Sequence, residues 1–319
     1  MKAAVYTRFG PPDVLQIREV QKPVPEKNEV LVRIRATTVE KEDPMLRRSP
    51  GMNGIFGPKR KVLGMELAGE IESVGNEVTN LKAGDKIFGN AGLKLGTYAE
   101  YICLPCDAAI ALKPTNLSFS EAAACTNGAL TALPYLRDLA KIRQGQSILI
   151  NGASGTVGSS ALQLAKYFGA RVTGVCRTSN MEKVRSLGAD KVLDYTENKV
   201  IDCGETFDIV FDVAGNLSFV ECKKILKENG TYMSTVPSLH LLFNLLNPSK
   251  NVGKKYKFAA TGLRSPGKKS SDLAFLKTVI EAGRLAPLID REFPLAAVSE
   301  AHSWVESGRK NGTVVLTIE

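Results

Sequence analysis

The chain has 319 residues, 44% of them hydrophobic and 24% charged, and 42 Lys and Arg against 33 Asp and Glu give a net charge of +9. That length suits about two domains, and the composition excludes a disordered chain, a collagen-like repeat and a heptad-built coiled coil. Residues 239–246 form the longest nearly apolar stretch, broken by His240 and Asn244 and far short of the ~20 apolar residues that cross a bilayer.

In chain order, residues 1–10 lack the apolar core of a signal peptide and read as a folded strand. Residues 3–6, 30–34 and 67–71 alternate apolar and polar positions over short runs, punctuated by Pro and Gly from Pro11 to Gly96. This pattern predicts an all-β barrel or sandwich over the first ~120 residues. Near Ser118 the pattern changes, and helix is expected from Ser120 and over 130–140. Strands at 147–150, 171–176, 191–194, 207–213 and 230–236 then alternate with helices at 157–168, 181–187 and 217–226. Such alternation with short links implies a parallel sheet covered on both faces. Helices at 271–283 and 298–307, a strand near Ile289 and a strand at 313–318 complete the pattern.

The six cysteines, at 103, 106, 125, 176, 203 and 222, are too sparse for a disulfide scaffold. They read as reduced thiols in a reducing, cytoplasmic compartment. The only histidines are His240 and His302, which excludes a metal site built on several His. The positive balance is compatible with nucleic acid, an anionic membrane surface or an anionic ligand, and reads first as a solubility feature.

The strongest local signal is the run Asn151-Gly152-Ala153-Ser154-Gly155-Thr156-Val157-Gly158, between a buried strand and an amphipathic helix. Glycine there lets the backbone approach a pyrophosphate, and the helix N-terminus offers unpaired N–H groups. Ser154, Gly155, Thr156, Val157 and Gly158 are therefore expected to hold a dinucleotide, although Ala153 stands where the first glycine of the fingerprint belongs. NAD enzymes end the second strand with Asp or Glu to bind the ribose 2′-hydroxyl. Here Arg177 stands there, with Ser179 and Lys183 in reach and no carboxylate before Glu182. One charge-assisted bond to a 2′-phosphate is worth roughly 1.5–3 kcal/mol, so NADPH is the expected cofactor. The next strands end at Tyr195, at Val213 and Asn216, and at Val236, where ligands bind in such sheets.

Other motifs fail on context. Tyr195-x-x-x-Lys199 sits too close to the glycine loop to be a short-chain dehydrogenase pair. Cys103 and Cys106 have metal spacing but no second pair, so they read as packed thiols, and His302 reads as structural. The basic residues from Lys250 to Lys269 read as a solvated face, with RNA or an anionic membrane as the functional alternative.

Several segments together carry a resemblance. They are Met1-Lys2-Ala3-Ala4, Glu29-Val30-Leu31-Val32, Gly64-Met65-Glu66-Leu67-Ala68-Gly69, Ala83-Gly84-Asp85, the glycine loop, Ser186-Leu187-Gly188-Ala189-Asp190 and Gly312-Thr313-Val314-Val315-Leu316. Over essentially its whole length the chain resembles medium-chain dehydrogenase/reductases of the zinc-independent quinone oxidoreductase kind. The resemblance implies an α/β architecture with a GroES-like β-barrel domain over 1–120, completed by 266–319, and a Rossmann domain over 121–265. It places the active site in the cleft between them and implies a homodimer. It implies hydride transfer from NADPH to a quinone, or to the C=C bond of an α,β-unsaturated carbonyl. It assigns Thr131 to a cofactor contact, and Glu40 and Asp43 to the substrate side. Zinc-dependent members carry Gly-His-Glu, where this chain has Met65, and no Cys lies over 37–43, so no zinc is expected. Glu40 replaces a usual Asn and could donate a proton if buried, and Thr313 replaces a usual Lys. The rival readings are an NADP-linked alcohol or aldehyde dehydrogenase with acquired metal, and a non-catalytic NADP sensor that binds RNA or membrane.

Overall fold

The computed structural model describes residues 1–236 and 253–319, so His240, Lys250 and the stretch 239–246 lie outside the described residues. The chain forms two compact units, one of residues 1–127, 264–283 and 287–319, the other of 128–263 and 284–286.

The first unit opens with β1 (Lys2–Val5) and β2 (Gln16–Glu19), an antiparallel pair. Then come β3 (Glu29–Val39), α1 (Glu42–Arg48), β4 (Glu66–Val74), β5 (Lys86–Asn90), β6 (Tyr101–Pro105) and β7 (Ala109–Leu112). The eleven residues of β3 are rich in Val, Ile and Thr, which suit a pleated, packed surface. β3 is the hub of this unit, pairing antiparallel with β4 and with β6. α2 (Phe119–Leu133) crosses the boundary between the units.

The second unit carries β8 (Ser147–Asn151), α3 (Thr156–Tyr167), β9 (Arg171–Cys176), α4 (Met181–Ser186), β10 (Lys191–Asp194), β11 (Phe207–Asp212), α5 (Phe219–Cys222), β12 (Leu226–Ser234) and β13 (Lys255–Lys257). Its six strands are all parallel, in the order β10-β9-β8-β11-β12-β13. Numbered from β8, that is 3-2-1-4-5-6, the doubly wound order with its switch point between β8 and β11. Leu149, Val175, Val210, Phe207 and Tyr232 form part of its buried core.

The chain then returns to the first unit as α6 (Pro266–Glu281), β14 (Ile289–Pro294), α7 (Val298–Glu306) and β15 (Thr313–Thr317). β15 pairs antiparallel with β3 and parallel with β14, giving a seven-stranded sheet. Val32, Ile34, Leu67, Ile87, Val298 and Leu316 pack in its core.

Four expected elements differ. The helix over 217–226 is only α5, because Ser218 caps it and the Phe207 N–H bonds the Ile225 carbonyl, drawing Leu226 into register beside Phe207. The strand over 230–236 therefore begins at Leu226 and ends at Ser234, leaving Val236 beyond it. The helix over 130–140 changes at Pro134, which has no N–H to give, and continues as a π-helical turn to Ala140. The helix at 271–283 starts earlier, at Pro266, whose fixed φ suits a first helical position.

Candidate functional site

In the second unit the expected cofactor residues lie along one edge of the sheet, at the carboxyl ends of the strands. β8 ends at Asn151, and the turn is made by Gly152 at φ 86. Gly152 thus supplies the left-handed residue expected of the fingerprint's first glycine, one position before Ala153, which is buried against the sheet. Gly155 is the N-cap of the twelve-residue α3 and Thr156 its first residue, with no side chain capping the helix. A helix start without a side-chain cap turns its positive dipole end toward any anion placed there. A Cβ on Gly158 would lie 2.0 Å from the Gly152 carbonyl oxygen, so only glycine lets helix and turn approach this closely. A Cβ on Gly128 of α2 would lie 2.3 Å from the Thr156 carbonyl, so α2 packs on the start of α3. Thr131 is half-buried, one helical turn beyond Gly128.

The loop after β9 joins this turn directly. The Asn180 side-chain amide donates to Ser154 Oγ at 3.2 Å. Arg177, Ser179 and Lys183 are all exposed. The first carboxylate that follows, Glu182, is held at 2.7 Å by Arg185. Asp194 at the end of β10 accepts bonds from Thr178 and Thr196, which hold its carboxyl below the usual range. Tyr195 is exposed, its N–H bonded to the Cys176 carbonyl at 3.2 Å.

The loop after β11 depends on a residue the sequence did not single out. Asp212, fully buried, accepts from Asn151 Nδ2 (2.8 Å), Gly215 N–H (2.9 Å), Leu217 N–H (2.9 Å) and the Tyr232 hydroxyl (3.1 Å). Asn151 Nδ2 also donates to Asn216 Oδ1 at 2.6 Å. Gly215 has φ 73, and a Cβ there would strike the Val236 side chain. Asp212 thus ties the loop that holds Val213 and Asn216 to the end of β8 and to β12. Its four donors were invisible because they are spread along the chain from Asn151 to Tyr232.

In the first unit, Glu40 and Asp43 sit in a buried acid–base cluster. Glu40 forms a 2.8 Å ion pair with Lys310, both side chains almost wholly buried. Lys310 is thus a cation that faces the Glu40 carboxyl at the position where the resemblance implies a proton donor or a changed contact. Asp43 accepts from the Glu40 N–H at 2.9 Å. Burial pushes its carboxyl up to about 7, the Glu40 N–H opposing and the Glu42 and Glu40 charges adding. Glu66 accepts from Asn90 at 2.9 Å and Thr38 at 3.0 Å, and burial with the Glu40, Asp43 and Glu42 charges pushes it up to about 8. Tyr98 turns its hydroxyl toward Asp43 and stands edge-to-face with His302 at 5.7 Å. His302 is buried, bonded through Nδ1 to Arg47 at 3.2 Å, and burial with the Arg47 charge lowers its pKa to about 3. It is a neutral packing group. Glu66, Tyr98 and Lys310 were not picked out by sequence reasoning. Only Glu66 left a trace, in the Gly64-Met65-Glu66 segment.

The zinc that related dehydrogenases carry does not fit here. Met65 packs against the barrel core, and the hydroxyls of Thr37 and Thr38 are bonded to Glu66. Among the described residues, no group of three or more His, Cys, Asp or Glu is arranged to hold a metal. All six cysteines are free, and Cys103 is buried in β6. The described part of the basic run from Lys250 to Lys269, which ends inside α6, is not one solvated face. Lys254 and Lys257 donate to the Lys223 and Leu139 carbonyls, Arg264 pairs with Asp272, and Lys269 is buried. No helix among the described residues is long and apolar enough to cross a membrane.

Residues 26–114 match the alcohol dehydrogenase GroES-like domain model, and residues 187–316 the zinc-binding dehydrogenase model. The chain is 34% identical to a 2-methylene-furan-3-one reductase of Solanum lycopersicum, over 99% of this chain and 79% of the relative. It is 31% identical to a chloroplastic NADPH-dependent alkenal/one oxidoreductase of Arabidopsis thaliana, over 99% and 79%. Among solved structures, a quinone oxidoreductase from Coxiella burnetii superposes with a TM-score of 0.87 at 28% identity, covering 100% of this chain and 99% of that one.

Proposed function

The chain belongs to the quinone oxidoreductase-like branch of the medium-chain dehydrogenase/reductase superfamily, and on that premise we propose that it is a zinc-independent NADPH-dependent reductase of quinones or of the C=C bond of α,β-unsaturated carbonyls. The observation that carries the cofactor preference is the end of β9, where Arg177 is exposed and the first carboxylate after it in sequence, Glu182, is already engaged by Arg185. The reductase class rests on the relatives, two of which are named reductases or oxidoreductases of enones and alkenals.

In this reading Gly155, Thr156, Val157 and Gly158, with Ser154, hold the pyrophosphate by backbone N–H groups and the α3 N-terminus. Arg177, Ser179 and Lys183 grip the 2′-phosphate. Thr131, Tyr195, Val213, Asn216 and Val236 line the rest of the cofactor. When bound, NADPH supplies a hydride, and the protein supplies orientation and exclusion of water. No metal is needed, because a quinone or enone already contains its own electron sink. After hydride arrives at the β-carbon, the substrate oxygen carries negative charge and the α-carbon needs one proton. Asp43, whose carboxyl burial pushes up to about 7, is the donor in this reading, and Glu40 of the Glu40–Lys310 pair stands three residues before it. A homodimer and a cytoplasmic location complete the reading. The first rests on the family and the second on the free thiols, and light scattering and cell fractionation test them.

The test is NADPH oxidation with a naphthoquinone, an alkenal, an enone and a simple aldehyde. Turnover of the first three without the aldehyde supports the reading, while aldehyde turnover with stoichiometric zinc overturns it. Arg177→Asp should raise the KM for NADPH at least ~10-fold relative to NADH. An unchanged ratio makes Arg177 a bystander.

A further inference from the structure

Among the described residues, four of the thirteen exposed large apolar side chains fall between residues 45 and 56. They are Met45 (69% exposed), Met52 (80%), Ile55 (71%) and Phe56 (105%). The other nine are scattered, which is ordinary for a soluble surface. The loop that bears Met52, Ile55 and Phe56 is built and not loose. Gly51 and Gly54 exchange backbone bonds of 2.8 and 3.0 Å. The buried Asn53 holds the far side, its carbonyl accepting from the Lys59 N–H at 2.7 Å and its Oδ1 from the Arg60 N–H at 3.0 Å. The apolar side chains are thus presented outward by a backbone that has already lost its freedom, so engaging them costs little further ordering.

The charge around them has one sign. No Asp or Glu lies between Asp43 and Glu66, while Arg48, Lys59, Arg60 and Lys61 are all exposed. Among the described residues, Arg48 is the one of these four paired with a carboxylate, Glu306 at 3.6 Å. An aromatic and aliphatic tip flanked by cations is the chemistry of an anionic phospholipid surface. The tip enters the headgroup boundary, and the cations meet the lipid phosphates and carboxylates.

We propose that the loop over residues 51–61 docks this protein on anionic membrane surfaces, with Ile55 and Phe56 inserting and Lys59, Arg60 and Lys61 supplying the attraction. This surface is independent of the proposed reduction. Each cation near such a surface is worth about fivefold in binding, so the three together are worth about a hundredfold, beside the insertion of two side chains.

The full-length chain is sedimented with vesicles of phosphatidylcholine alone and of phosphatidylcholine with a minority of phosphatidylserine. Binding to the second, weakened by salt, and at least ~10-fold weaker for Phe56→Asp and for the triple change of Lys59, Arg60 and Lys61 to Ala, is the expected result. Phe56→Ser, with its circular dichroism and melting temperature matched to the parent, separates a docking effect from misfolding. Turnover of a water-soluble quinone should stay within twofold in that variant. The proposal is overturned if neither vesicle binds, or if binding ignores these changes. It is equally overturned if Phe56→Ser raises the quinone KM, which makes the loop a substrate contact, or splits a dimer in light scattering, which makes it an interface between copies.

Discussion

The two clusters of polar residues are built on opposite principles. The cradle at the strand ends of the second unit uses backbone: a glycine turn, an uncapped helix start, and Asp212 with four donors around it. Its carboxylates are hydrogen-bonded, and Asp194 is held below its usual range. The cluster in the first unit uses desolvated side chains: an ion pair, and two carboxyls pushed up to about 7 and about 8 by burial. One design offers fixed donors to an anion and need not titrate. The other stores protons near neutrality.

The largest expected effect tests the backbone side of this contrast. Gly158→Val should weaken NADPH binding ~100-fold or more, read by fluorescence titration, because overpacking against the Gly152 carbonyl pushes the helix off the turn. Retained affinity would mean that side chains, not the turn, hold the cofactor. Next, Lys310→Met should destabilise the chain by about 3–5 kcal/mol in urea, by taking the ammonium away from the buried Glu40 carboxyl, and Glu40→Gln in addition should restore most of it. Additive losses would show that the two groups do not act as a pair.

A smaller, pH-dependent effect belongs to Asp43. Its pKa is raised on folding, so the folded state holds a proton that the unfolded chain releases. That costs stability progressively as pH rises from about 4 through about 7, and none below. Asp43→Asn should therefore melt higher than the parent by a few degrees above neutrality and level with it near pH 4. The pH dependence of turnover around neutrality should flatten in the same variant. A melting difference independent of pH would remove Asp43 as the proton store. Last, Lys199→Met should leave turnover within about twofold, since Lys199 is exposed and belongs to neither cluster.

The cradle was legible from Gly152 to Gly158 because its physics is local: strand, left-handed turn and helix start follow one another within a few residues. The parallel strands and the β-rich first ~120 residues were legible for the same reason. Val236 was placed at a strand end that closes two residues earlier, because backbone pairing at Ile225 shifts β12 forward. The acid–base cluster was only half legible. Glu40 and Asp43 came from family resemblance, but Lys310, which decides what Glu40 can do, is 270 positions away. Desolvation, which sets Asp43 and Glu66, depends on every neighbour at once and leaves no spacing to read. Asp212 reads in sequence as one more strand residue.

The pairing of β3 with β15 has a consequence for the order of assembly. A chain growing from its N-terminus completes β3 by Val39 and soon adds β4 and β6 beside it, but the strand that pairs with Ala36–Val39 begins only at Thr313. The second unit, by contrast, is nearly continuous from Gly128 to Leu263. Synthesis would thus release the Ala36–Val39 edge of β3 long before β15 exists to cover it. The dinucleotide unit can close while the barrel is still waiting, which makes the ribosome-bound barrel, not the finished protein, the species most in need of a chaperone.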